Sequence, residues 1–334
     1  MGPSRFKLIL GTALNLTLLV FVPGQGFSQS RGGPDGTSAA SEPTVKTASS
    51  HSVSRAQPLR VSVDLVIIPV TVTDELNRPQ TNLHREDFTV YEGDQEQQIR
   101  YFSSEDSPIS VGLLLDVSRS MQDKIDTERA AVGQFFKNAN PQDDYFVITF
   151  NNQPHVLSEV TQSTTAIENE LGLVQPSGST ALLDAVYLGI SKLRTAQYSR
   201  RALVIISDGG DNASRYKLRE IKNLVAESDV MVYAIGIFTS GPFKSFEEVM
   251  GKQWLSTITD VTGGRTATIR NLGKLPEECA LLSRELRNQY VLGYRPRAAV
   301  ADGKWHKIKI EVTSSSDASQ FRSHYRKGYY ALEP

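Results

Sequence analysis

Cysteine is almost missing from this chain. Cys279 is the only one in 334 residues, so no intramolecular disulfide can form and the folded state rests on its core. Histidine is scarce as well. His51, His84, His155, His306 and His324 fall in no ligand spacing such as H-E-x-x-H, which removes the common zinc-enzyme patterns. No G-x-S-x-G elbow is present, so the usual hydrolase nucleophile is lacking. A surplus of one charge is lacking too: 36 Lys and Arg stand against 37 Asp and Glu, a net of −1. That balance gives no electrostatic argument for nucleic acid as a partner.

The apolar stretch from Leu8 to Val22 is short for a membrane span. With Arg5 and Lys7 before it and Gly26-Phe27-Ser28 after it, residues 1–28 have the layout of a signal peptide. Export to the cell envelope, the periplasm or the medium is expected, and membrane association only if the segment is retained. Its removal shifts the net charge from −1 to −3 through loss of Arg5 and Lys7. No Cys follows it, so a lipidated N-terminus is unsupported. Residues 29–58 are rich in Ser, Gly, Ala, Thr and Pro with few large apolar residues, and read as a disordered linker.

Two β-rich flanks follow, at 59–106 and 288–334. Val61 to Thr73, Phe88-Thr-Val-Tyr91 and Gln98 to Phe102 read as strands, as do Gln289 to Tyr294, Trp305 to Val312 and the segment from Phe321 to Tyr330. Trp305 to Val312 alternates cleanly, with Ile308, Ile310 and Val312 on one face. Neither flank has enough strands to be stable alone. The expectation is one sandwich-like domain built from both flanks, with residues 107–287 inserted in it.

The inserted stretch alternates strands and helices. Tyr145 to Phe150, Ala202 to Ile206 and Val230 to Ile237 are short apolar runs. Helical spacing links Ile125, Val132, Phe135 and Phe136; then Leu182, Val186, Ile190 and Leu193; then Leu218, Ile221, Leu224 and Val225. Cys279 falls in a further helical pattern with Leu275, Leu282 and Leu286, where it reads as a small buried apolar residue. This alternation predicts an α/β fold with a doubly wound, mostly parallel sheet.

The chemistry is concentrated just after Ile109 to Leu115, an unbroken apolar run suited to a strand buried on both faces. It ends at Asp116, and Ser118 and Ser120 follow at alternate positions. One carboxylate and two hydroxyls are hard oxygen donors, suited to Mg²⁺ or a similar cation. Ser and Asp are also ordinary helix caps, so these three alone are ambiguous. Thr180 stands before a helix beginning at Ala181, and Asp208 stands after the strand ending at Ile206; singly, these read as a cap and a turn residue. Asp211 and Asp184 read as a solvated loop charge and a helix N-terminal charge.

Taken together, Asp116-x-Ser118-x-Ser120, then Thr180, then Asp208 resembles the metal-ion-dependent adhesion site of von Willebrand factor type A domains. Ser207 replaces the commoner Thr before that Asp, and Ser179 stands where such loops often have Gly. The resemblance covers about 107–287, and the flanks resemble those of exported bacterial proteins carrying this domain. It implies a metal site of Asp116, Ser118, Ser120, Thr180 and Asp208 holding Mg²⁺, or Mn²⁺ or Ca²⁺, with Asp208 bound directly or through water. It implies a protein partner offering an Asp or Glu carboxylate, no small-molecule substrate and no enzymatic activity. Two rivals are a metal-independent structural scaffold and a Mg²⁺-dependent hydrolase. A haloacid-dehalogenase-like site needs a second Asp two residues after the first, where this chain has Ser118.

Overall fold

The computed structural model describes residues 65–104, 106–238, 246–296, 303–313 and 321–331, all within one compact unit running from Arg60 to Pro334. The expected signal peptide, the linker and the first residues of the expected strand from Val61 lie outside the described residues. Four strands come first: β1 (Val66–Thr73), β2 (Phe88–Glu92), β3 (Gln95–Gln97) and β4 (Ile99–Ser103). The inserted stretch then runs β5 (Ser110–Asp116), α1 (Ile125–Lys137), β6 (Asp144–Phe150), β7 (Pro154–Thr161), α2 (Thr164–Gly172) and α3 (Leu182–Leu193). It continues with β8 (Arg201–Ser207), α4 (Leu218–Ala226), β9 (Met231–Ile237), α5 (Phe246–Thr262), β10 (Thr266–Ile269) and α6 (Leu275–Arg287). The chain finishes with β11 (Tyr290–Tyr294), β12 (Trp305–Val312), β13 (Arg322–His324) and β14 (Gly328–Tyr330).

The central sheet has the order β10-β9-β8-β5-β6-β7. Every neighbouring pair is parallel except β6 with the edge strand β7. All residues of β5, β6 and β9 are buried, which is why these strands read as continuous apolar runs rather than alternating ones. Alternate side chains feed two cores. Val111, Leu113 and Leu115 of β5 join Val132 and Phe135 of α1 and Cys279 and Leu282 of α6 on one face. Leu114 meets Leu182, Val186 and Ile190 of α3 and Leu255 of α5 on the other. The chain leaves β5 to build β6 on one side and later builds β8 on the other. The order therefore reverses at β5, and a ligand crevice is expected beyond the carboxyl ends of β5 and β8.

The flanks pair with each other in two four-stranded antiparallel sheets, β13-β1-β11-β4 and β14-β12-β2-β3. Val66 lies opposite Tyr294 in the first sheet and Ile308 opposite Glu92 in the second. Their shared core includes Ile68, Val70, Phe88, Val90, Leu292, Ile308 and Ile310. β4 leads into the inserted unit and β11 leads out of it, and these two strands are hydrogen-bonded neighbours.

The structure differs from the expectation in particular places. Phe321 to Tyr330 is two short strands, not one: β13 pairs with β1 and β14 with β12, so the segment steps from one sheet to the other. Tyr325, between them, is buried, and its hydroxyl accepts from Ile310 N at 2.9 Å. β7, α2, α5 and β10 were not anticipated. β7 is a largely exposed edge, β10 has four residues, and α5 carries Gly251, Ser256 and Thr257 inside it, so none shows a strong apolar period.

Candidate metal centre

Asp116 ends β5, and its residue is 0 % exposed. Its Oδ1 accepts from Ser118 N at 3.0 Å, and its Oδ2 accepts from the Ser207 hydroxyl at 2.6 Å. The Ser207 hydroxyl in turn accepts from Gly209 N at 2.9 Å. Ser207 thus locks the Asp116 carboxylate from the neighbouring strand β8. The sequence offered Ser207 only as a replacement for Thr; its hydroxyl is part of the site.

Ser118 and Ser120 do not act as helix caps. Ser118 precedes a single 3₁₀ turn, Arg119–Met121, without a cap hydrogen bond from its side chain, and α1 starts later, with Lys124 at its N-cap. The two hydroxyls lie 3.0 Å apart instead. Thr180 is not a cap either, since Ala181 holds that position before α3.

Backbone hydrogen bonds tie the three loops together. Ser177 N donates to Val117 O and Arg119 N to Gly178 O, joining the loop before α3 to the loop after β5. Thr180 N donates to Asn212 Oδ1 at 2.9 Å, while Asn212 N and Ala213 N donate to Thr180 O, joining it to the loop after β8. In that last loop Gly209 adopts φ +82°, and its backbone crosses Gly251 of α5 so closely that a Cβ on Gly251 would lie 2.3 Å from Gly209 O. A cleft of about 700 Å³ opens where the loops meet. Ser118, Ser120, Thr180 and Asp208 line it, Asp116 lies beneath, and Met250 and Trp254 of α5 form an apolar wall. All five sequence-derived residues are brought together.

Asp211 and Asp184 turn out differently from expectation. Asp211 is not a solvated charge: its carboxylate accepts from Leu183 N at 2.9 Å and Ser214 N at 3.1 Å, capping α3 from a separate loop. Burial raises its pKa above the ordinary value. Asp184 does stand in the first turn of α3, but it is 4 % exposed and accepts from Arg215 N, Arg215 Nε and Tyr216 N. Both carboxylates hold loops and are spent on that task.

Two further residues complete the electrostatics. Lys124 Nζ is 3.2 Å from Asp208 Oδ2. Glu128, on α1, is 0 % exposed, and neither of its carboxyl oxygens has a hydrogen-bond partner. The signal for Glu128 was available: it falls between Ile125 and Val132 at core-facing spacing, where a charged residue is out of place. Burial, with the Asp208 charge second, pushes the Asp116 carboxyl up to about 6. Burial and then the Asp116 charge push Glu128 well above the usual carboxylate range.

These residues fit a hard divalent cation. Two carboxylates stand together, burial and then the Asp208 charge raise the cost of ionising Asp116, and an ammonium group already stands on Asp208. Three hydroxyls supply neutral oxygens beside the carboxylates. Among the described residues no three His, Cys, Asp or Glu side chains converge as a metal-binding group. Any metal here therefore depends on the hydroxyls of Ser118, Ser120 and Thr180.

Residues 111–210 match the von Willebrand factor type A domain family. No curated protein matches the sequence. Among solved structures, a von Willebrand factor type A protein from Catenulispora acidiphila is similar at 11% identity and TM-score 0.47, over 79% of this chain and 74% of its own. The conserved hypothetical protein BatB from Bacteroides thetaiotaomicron is similar at 13% identity and TM-score 0.43, over 53% of this chain and 98% of its own. Proximal thread matrix protein 1 of the mussel byssus, described with a zinc-occupied MIDAS motif, is similar at 16% identity and TM-score 0.44, over 58% and 49%. The family match runs from β5 through the loop after β8, so the part of the chain that matches the von Willebrand factor type A domain family is the part that carries Asp116, Ser118, Ser120, Thr180 and Asp208.

Proposed function

We propose that the chain is an exported, divalent-metal-dependent protein-interaction module. Its metal site comprises Asp116, Ser118, Ser120, Thr180 and Asp208, and an Asp or Glu side chain of a partner protein completes the coordination. The observation that carries this reading is the convergence of Ser118, Ser120, Thr180 and Asp208, from three separate loops, on one open cleft at the sheet's switch point, with the buried Asp116 at its base. Mg²⁺ suits the donor set best, with Mn²⁺ or Ca²⁺ as the other candidates. Bound there, such an ion supplies an electrophilic centre with exchangeable water positions. The chain's own residues set its strength: Asp116 is fixed by Ser118 N and the Ser207 hydroxyl, and only two donors carry charge. Affinity should therefore be modest, leaving room for the partner's carboxylate. The module is a binding protein and not an enzyme.

Calorimetric titration with Mg²⁺ tests the site, and partner capture with and without chelator tests the function. Asp116→Ala should abolish both metal heat and capture, while Ser118→Ala should weaken them less because water can replace a neutral hydroxyl. Partners that stay bound in chelator and to Asp116→Ala alike refute the adhesion reading. Turnover in a phosphatase and esterase screen, lost in Asp116→Ala, would establish the enzyme instead. The export part of the proposal rests on residues 1–28. N-terminal sequencing of the native protein should find a start near Gln29, and an intact Met1 on cytoplasmic protein refutes export. No helix among the described residues is long and apolar enough to cross a membrane.

A further inference from the structure

Lys124 and Glu128 stand one helical turn apart, with Glu128 N donating to Lys124 O at 3.0 Å. Residues at this spacing are side-chain neighbours on a helix. Their present situations are opposite. The Lys124 ammonium is engaged by Asp208, and both side chains are only about one-fifth exposed, 21% and 18%. The Glu128 carboxyl is sealed from solvent with neither oxygen hydrogen-bonded. A buried carboxyl without a partner is destabilising and rare in folded proteins.

The charged groups that act most strongly on Glu128 are Asp116, Arg129, Lys124 and Asp208. The two carboxylates repel it. Of the two cations, Arg129 is committed elsewhere. Its Nη1 pairs with Asp126 at 2.7 Å, its Nε donates to Leu171 O and its Nη2 to Val174 O. Lys124 is the remaining cation, and it is held on a carboxylate of the metal site. A divalent ion on Asp116 and Asp208 would face that ammonium across the same carboxylate, and like charges at such range repel strongly in a partly dry cleft.

We propose that Lys124 is a built-in competitor for the metal site, and that a divalent cation displaces it from Asp208 to Glu128. In the metal-free protein the ammonium neutralises Asp208. In the metal-bound protein it is handed one turn along α1 to the carboxyl that lacks a partner. Lys124 sets the threshold concentration of metal, and Glu128 lowers that threshold by receiving Lys124. This inference rests on the metal-site reading above.

A double-mutant cycle on the full chain tests it, with Mg²⁺ affinity by calorimetry as the readout and thermal melts in chelator to confirm folding. Lys124→Met, which keeps the length and apolar stem, should tighten Mg²⁺ about tenfold, the change expected for removing one nearby positive charge. Glu128→Gln should weaken Mg²⁺ several-fold when Lys124 is present and leave it unchanged in the Lys124→Met background. A wild type that binds Mg²⁺ while Lys124→Met binds no more tightly overturns this inference and spares the metal site. An equal Glu128→Gln effect in both backgrounds overturns the transfer to Glu128. Binding by Lys124→Met alone, with no wild-type heat, supports the competition in its strongest form. No heat from either protein overturns the metal site and this inference together.

Discussion

Replacing Asp116 by Asn should stabilise the metal-free protein at neutral pH and weaken it once metal is present. The substitution keeps the shape and both hydrogen bonds: the amide oxygen can accept from Ser118 N, and the amide nitrogen can donate to the Ser207 hydroxyl. What it removes is a buried negative charge. The folded protein holds the Asp116 proton up to about pH 6, against an ordinary value of 3.8. At about 1.4 kcal/mol per pKa unit, that gap corresponds to about 3 kcal/mol. The sign follows from linkage. A carboxyl whose folded pKa is raised contributes stability that is complete below 3.8 and lost as the pH rises through about 6. Wild type and Asp116→Asn in chelator should therefore unfold at matching urea concentrations near pH 4. By pH 7.5 the variant should be the more stable by about 3 kcal/mol. Added Mg²⁺ should close that gap and then reverse the order, because only the wild type gains the binding term, about 2.7 kcal/mol at a concentration one hundred times Kd and about 4.1 kcal/mol at one thousand times Kd. Equal or lower stability of the variant in chelator at pH 7.5 refutes the argument, since the buried charge would then carry no cost.

Three other outcomes are expected. Ser207→Ala leaves Asp116 Oδ2 without its donor and should cost about 1–2 kcal/mol in urea unfolding and weaken Mg²⁺, while Ser207→Thr restores both. Gly251→Ala drives a Cβ against Gly209 O and should cost about 1–3 kcal/mol and loosen the Asp208 loop, read as lower stability together with weaker Mg²⁺ binding. His324 is held down to about 4 by burial first and by the charges of Arg265, Lys327 and Arg322. Its contribution is present above pH 6.5 and lost as the pH falls through about 4, so His324→Gln should flatten the acid limb of the stability curve.

The sheet was legible because its strands are buried on both faces. An unbroken run such as Val111 to Leu115 has few other uses, and a carboxylate at its end marks the crevice. The five candidate metal ligands could be picked out by spacing, since each precedes or follows an element whose apolar pattern is strong. Ser207 was not, because a hydroxyl that orients a carboxylate from the next strand leaves no local pattern. The same holds for Asp211, whose partners Leu183 and Ser214 lie in the start of α3 and in the loop after β8. Only the folded chain shows that its charge is used to cap. Lys124 and Glu128 lie between these cases. Their i,i+4 spacing is visible, but their separation into an engaged ammonium and an orphaned carboxyl depends on Asp208, 84 residues away from Lys124. The step of the last segment between two sheets was hidden because β13 and β14 have three residues each, too few to show a period.

The pairing of β4 with β11 also bears on how the protein would respond to pulling. The six-stranded unit enters and leaves its host side by side, through two strands stitched together by their own ladder. Tension applied through the residues before β1 and after β14 runs first into the sandwich, where β1 is held by β11 and β13, and β14 is held by β12. The inserted sheet hangs off that line of force as a side branch. Tension between the two ends of the chain would therefore load the ladders of the antiparallel sheets, and the strands carrying Asp116 and Asp208 would stay outside that path.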